Sequence, residues 1–288
     1  MLSRLYVIGN GFDLWHGLPT GYSDFCEYSS DALEESEQFF WFQEDQRAWS
    51  DFENDLGTFD WAVFYDVHNH HDLDFNDFKM SYIAGLEDEL IQEANRHVDT
   101  IRESFVEWVD SIDISLLKPR MHFKANARFI TFNYTSTLQQ IYGISEDRVL
   151  HIHGRAETYD ELIFGHGETM KEEPVYDENG EPNHTPFSDA EASARYPFHA
   201  FRKPVNEVID RHKYFFDNFA DVDEVVIIGH SLNDVDMPYL SKISSLAVGA
   251  SWTVVCHSIE ELTSYPLQLK QWGVPSNQIN VCTYADLH

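Results

Sequence analysis

The first thirteen residues constrain the fold more than any other stretch of the chain. An apolar run, Leu5-Tyr6-Val7-Ile8, passes directly into Gly9-Asn10-Gly11-Phe12-Asp13, and Gly17-Leu18-Pro19-Thr20 follows close behind. A strand that empties into two glycines and a helix start is how a nucleotide-binding α/β domain opens. Glycines let the backbone pass close to phosphate, and the next helix offers free N–H groups and a positive dipole end. The run is less than the full Gly-x-Gly-x-x-Gly fingerprint and, taken alone, fits an ordinary strand-to-helix turn equally well. Five later runs add support: Arg128–Phe132, Val149–Ile152, Val225–Ile228, Trp252–Val255 and Ile279–Cys282. Near-continuous apolar strands of this kind belong to a parallel sheet covered on both faces. Leu240, Ile243 and Ala247 hold helical spacing between two of them, and Ile259–Trp272 fills the next gap, where Pro266 is expected to kink or restart a helix. The alternation predicts a doubly wound, Rossmann-like α/β core.

The stretch 30–119 breaks that rhythm. Ile83, Leu86, Leu90, Ala94, His97, Ile101, Phe105 and Trp108 follow the 3–4 spacing of one long amphipathic helix, with Pro119 as its stop. We therefore expect a core made of 1–29 and 120–288, carrying a large helical insertion at 30–119. Glu53, inside Trp49-Ser50-Asp51-Phe52-Glu53, reads as part of a solvated helix face. A second irregular region, Glu168–Pro197, is long enough to be a functional loop or a lid.

With 288 residues and 43% hydrophobic side chains, the chain has ample material for a core. Its net charge of −31, from 50 acidic against 19 basic residues, would repel a polyanion, so nucleic acid is an unlikely partner. Three distant cysteines form no Cys-x-x-Cys pair, which argues against a disulfide framework and a zinc ribbon. The first apolar run has a strand's length, so no signal peptide is expected, and no run reaches the ~20 apolar residues of a membrane span. A cytoplasmic protein without a membrane partner is the expectation.

Four polar motifs sit at the C-terminal ends of the expected strands: Gly9-Asn10-Gly11-Phe12-Asp13, Thr131-Phe132-Asn133-Tyr134-Thr135, His151-Ile152-His153-Gly154 and Gly229-His230-Ser231-Leu232-Asn233-Asp234. Ligands of open parallel sheets bind in the crevice beyond those ends. Histidine ordinarily titrates near neutrality, so His153 suits a general base acting on water or a ribose hydroxyl. Asn133 can donate and accept at once, as a sugar diol requires. A carboxylate, Asp13 or Asp234, would stabilise an oxocarbenium-like centre, although Asp13, Asp234 and Asp236 are also placed to cap helices. His151 reads as a strand-end histidine bonded to backbone.

In this order the motifs resemble the AbiH (abortive infection) family of bacterial anti-phage proteins. More distantly they are similar to sirtuin-like NAD-cleaving domains, whose pattern runs Gly-Ala-Gly-x-Ser, Gly-Leu-Pro, Thr-x-Asn-Tyr-Asp, His-Gly and Gly-x-Ser. The resemblance implies that Gly9, Asn10 and Gly11 cradle a diphosphate and that Asn133, in the Thr131 motif, holds the ribose beside nicotinamide. It implies His153 as catalytic base, with Gly229 and Ser231 along the adenosine side. Asp13 stands where the wider family has Ser, and Thr135 where it has Asp. The four-cysteine zinc module of sirtuin deacetylases is missing, so deacetylation is not expected. The implied function is an anti-phage NAD glycohydrolase, with NAD as substrate, no metal, a phage or host trigger as partner, and room for a homo-oligomer. Three other readings compete. Gly229-His230-Ser231-Leu232-Asn233 lacks the last Gly of a serine-hydrolase elbow. His151, His153 and His166 would be ligands in a metal-dependent phosphoesterase or nuclease. A nucleotide-binding sensor without catalysis is the third.

Overall fold

The computed structural model describes residues 3–43, 47–70, 80–158, 160–171, 174, 176 and 178–287. The chain divides into two compact units, one of 1–21, 109–163 and 204–288, the other of 22–108 and 164–203. The second unit thus gathers a later stretch together with the helices that follow the first strand.

The first unit is built on six parallel strands: β1 (Arg4–Ile8), β2 (Arg128–Thr131), β3 (Val149–His151), β4 (Glu224–Ile228), β5 (Ser251–Cys256) and β6 (Ile279–Thr283), in the order β3-β2-β1-β4-β5-β6. That is the strand order of the doubly wound Rossmann fold, and its direction reverses between β1 and β4. The apolar runs form strands because their alternate residues feed two cores. Leu5, Val7, Ile130, Leu150, Val225, Ile227 and Val254 pack on one face, while Tyr6, Ile8, Phe129, Val149, Val226, Ile228 and Val255 pack on the other. β1, β2 and β4 are buried on both faces and needed no polar alternation, whereas the edge strand β6 leaves Asn280 and Val281 exposed. Register aligns Ile8 with Thr131 and Ile228, and Thr131 with His151. The residues just beyond these four, the polar motifs, therefore share one carboxyl edge. Near the C-terminus, one continuous helix, Glu261–Gln271, runs through Pro266 without restarting. The proline sits in its second turn and removes a single intrahelical bond.

The second unit is helical. Its long helix, Met80–Asp110, buries Ile83, Leu86, Leu90, Ala94, Ile101 and Phe105 along one stripe. It ends well before Pro119, where the Ser115 N–H donates to Asp113 Oδ1 in a local turn. Phe105 stacks on Phe52 with ring centroids 5.7 Å apart and also meets Phe25 and Phe164. The region expected to be irregular up to Pro197 turns helical at Ser188, in the helix Ser188–Ala200. Its residues Glu172, Glu173, Val175 and Asp177 lie outside the described residues.

Glu53 corrects the sequence expectation. It is 7% exposed rather than solvated, and its carboxylate lies 2.8 Å from Lys203 Nζ, also buried. A carboxylate so far from water needs a cation at hydrogen-bonding distance, and Lys203 supplies it from far along the chain. Among the described residues, no helix is long and apolar enough to cross a membrane.

Candidate functional site

The β1 and β4 turns lock together at the point where the sheet reverses. Gly9 N–H donates to Ile228 O at 3.0 Å, and Gly11 N–H donates to Gly229 O at 2.7 Å. Gly229 has φ +70°, and a Cβ there would fall 2.1 Å from the Phe12 backbone nitrogen. A Cβ on Gly9 would fall 2.5 Å from the His230 Cα. The glycines thus permit two backbone turns to touch, and two of the N–H groups expected to face a phosphate are given to β4 carbonyls. Asn10 is exposed, and its amide donates to Thr20 O at 2.6 Å, tying the first turn to the Gly-Leu-Pro-Thr segment.

Beside this seam the ends of β2 and β3 deliver the expected polar residues. Thr131 is buried, and its hydroxyl accepts from the Asn133 N–H at 3.1 Å, which shapes the turn that presents Asn133. Asn133 is itself buried, and its Oδ1 accepts no hydrogen bond among the described residues. Asp13 is fully buried in the first helix turn. Its Oδ2 accepts from the Thr135 hydroxyl at 2.5 Å, while its Oδ1 has no partner among the described residues. Burial pushes the Asp13 carboxyl up to about 6, against the pull of the Thr135 and Thr137 hydroxyls and the Asn133 amide. Asp13 does not cap its helix: no side chain caps that N-terminus, and the carboxylate faces the β2 turn.

His153 is 2% exposed, and its Nε2 lies 3.6 Å from Asp236 Oδ1. His230 Nε2 lies 3.7 Å from Asp236 Oδ2, so one buried carboxylate bridges two imidazoles. The Leu232 N–H donates to His230 Nδ1 at 2.9 Å, so a neutral His230 carries its proton on Nε2, toward Asp236. Phe132 stands edge-on to both rings, at 5.1 Å from His153 and 4.3 Å from His230. Tyr239, fully buried on the helix Met237–Leu246, closes on His153 at 5.7 Å. Gly154, at φ +81°, leaves room for the Glu161 carbonyl, which a Cβ would meet at 2.6 Å.

Of the residues expected from sequence, Asp13, Thr131 and Asn133 form one hydrogen-bonded group, and His153 joins a second around Asp236. Ser231 and Asp234 are exposed, outside both groups. Sequence reasoning missed His230, Asp236 and Tyr239 as site residues. The signal was in Gly229-His230-Ser231-Leu232-Asn233-Asp234-Val235-Asp236: the backbone turns sharply at Leu232, φ +55°, and the short turn Asp234–Asp236 buries the second acid and exposes the first. Leu232 is fully buried in that left-handed conformation, a strained placement of the kind found at functional sites.

The other histidines are engaged elsewhere. His151 donates through Nδ1 to Asn133 O at 3.1 Å and accepts at Nε2 from Gln139 at 2.9 Å. Burial holds His151 neutral down to about 4. His166, in the second unit, donates to Phe198 O at 2.9 Å and accepts from the Glu168 N–H at 3.1 Å. Two of the three histidines of the phosphoesterase reading thus spend both ring nitrogens on the protein itself.

A parallel sheet with this strand order, carrying its buried polar groups at the carboxyl edge beside the reversal point, defines a Rossmann-like α/β protein. The comparison with family models then fixes the family. The model described as bacteriophage abortive infection AbiH matches residues 5–256, and the chain belongs to that family. No curated protein and no solved structure matches the chain.

Proposed function

We propose that the protein is an abortive-infection effector that hydrolyses the N-glycosidic bond of NAD, releasing nicotinamide and ADP-ribose. The observation that carries this reading is the pair of buried acceptors without partners among the described residues, Asp13 Oδ1 and Asn133 Oδ1. They lie at the same sheet edge as the His153–Asp236 pair. Unpaired buried acceptors are costly unless a ligand donor meets them, and the hydroxyls of a ribose are such donors.

In the proposed reaction the C1′–N bond breaks and its electrons pass to the pyridinium nitrogen, which leaves as neutral nicotinamide. The Asp13 carboxylate, charged above about pH 6, stabilises the developing positive charge at C1′. Water attacks C1′ and gives its proton to His153, whose imidazolium is stabilised by Asp236. The nearly complete burial of His153 and Asp236 describes a closed site, in keeping with a toxic activity that is restrained before infection.

The test is to incubate wild type, His153→Ala and Asp236→Asn with NAD and quantify released nicotinamide by chromatography, alone and in extracts of phage-infected cells. Release by wild type and loss of at least about 100-fold in each variant is the expected result, the range for removal of a general base. Release that survives both substitutions removes His153 from the reaction. Binding of NAD by wild type, with no turnover in either setting, favours the sensor reading, for which the deep burial of both histidines also speaks.

A further inference from the structure

Far from the nucleotide-type site in sequence, the helical unit assembles a second constellation. His68 ends the helix Trp61–His68, and Glu93 and His97 stand four residues apart on the long helix Met80–Asp110. One ligand-type atom from each of the three lies within 4.8 Å of the other two. His68 Nε2 is a buried nitrogen with no hydrogen-bond partner among the described residues.

The tautomer of His97 follows from its neighbours. Arg96 Nη2 lies 3.2 Å from His97 Nε2, and a guanidinium only donates, so Nε2 presents its lone pair. The proton then sits on Nδ1 and is donated to Ser36 Oγ at 2.8 Å. This is how a metal-ligating histidine is oriented, by an outer hydrogen bond on its other nitrogen. Phe39 and Phe64 wall both imidazoles, at centroid distances of 5.2 and 5.7 Å from His97 and 5.6 and 4.5 Å from His68. Arg96 Nε donates to Glu93 Oε2 at 2.8 Å, while Nη1 and Nη2 donate to the two Glu35 oxygens. The Arg96 guanidinium thus touches two of the three ligand-type residues.

We propose that His68, Glu93 and His97 form a Zn²⁺ site and that the Arg96 guanidinium competes with the metal for it. Two imidazoles and a carboxylate are a common zinc set, with the fourth position left to water. Bonds of about 2.0–2.2 Å require the three atoms to draw together by roughly an ångström, within the reach of side-chain rotation. Glu93 and His68 are half-buried, which gives the ion access from solvent. On binding, Arg96 releases His97 and Glu93 and keeps its two bonds to Glu35. The proposal departs from the sequence expectation of no metal, and it stands independently of the NAD reading.

The experiment is a Zn²⁺ titration of the full-length protein by calorimetry, with thermal denaturation in parallel. Wild type is expected to bind one ion tightly and to melt at a higher temperature in its presence. His97→Ala and His68→Ala are expected to bind more than about 100-fold more weakly, beyond the loss caused by removing an outer partner. Arg96→Gln is expected to bind more tightly than wild type. His68 lies at a helix end, so its variant carries the test if His97→Ala fails to fold. Equal affinity in wild type and His68→Ala, or no saturable binding in wild type and Arg96→Gln alike, overturns the site. Unchanged affinity in Arg96→Gln overturns the competition.

Discussion

Asp13 shows what a buried functional group costs the molecule that carries it. Its carboxyl is raised from an ordinary value of 3.8 to about 6 by burial. The native state therefore holds this proton more tightly than the unfolded chain, and the stability it confers is complete below pH 4 and lost as pH rises through 6. The loss amounts to about 3 kcal/mol. Asp13→Asn keeps an acceptor for Thr135 and has no charge to bury. It is expected to match wild type near pH 4 and to exceed it by about 3 kcal/mol at pH 8, as read by denaturant melts at several pH values. A parallel pH dependence in the two proteins would refute the assignment. The sequence made Asp13, Asn133 and His153 legible because each follows a strand end directly. It left Asp236 and His230 obscure because only packing decides which of two acids in Asp234–Asp236 turns inward.

At the level of elements, the long helix was readable almost whole, since its apolar stripe repeats from Ile83 to Trp108 without interruption. Its end was not, because the helix stops at Asp110, well before the proline that the sequence offers as its stop. The central strands of the sheet were equally plain, being apolar on both faces. What a pattern of residues cannot carry is a long-range pair such as Glu53 with Lys203. Local propensity also leaves one correctable weakness. Gly85 sits inside the helix Met80–Asp110, exposed, and a Cβ there would meet nothing within 4 Å. Gly85→Ala is expected to raise stability by about 0.5–1 kcal/mol, measured by urea denaturation. A decrease would mean that the helix is bent or contacted at that point.

For the whole molecule, the net charge of −31 sets a repulsive background that no single contact describes. Raising salt from 0.01 to 0.1 M shortens the screening length from about 30 to 10 Å. The protein is expected to gain stability on the order of 1 kcal/mol, or about 2–4 °C in Tm, over that range. A flat or falling Tm in NaCl would refute the repulsive contribution. The two compact units interleave along the chain, and this hid their composition from a linear reading: 164–203 belongs with residues made much earlier.

The seam between the first and fourth strands also has a meaning in time. Gly9 and Gly11 are made long before the carbonyls that receive their N–H groups, on Ile228 and Gly229. At about 5–20 residues per second, some 10–45 s separate the two. Through that interval the first strand lacks its neighbour β4, and the carboxylate that bridges the two histidines has not been made. Under the proposed activity, a chain grown or truncated short of β4 is harmless to the cell that makes it, and the protein is armed only once β4 and the turn carrying Asp236 have emerged.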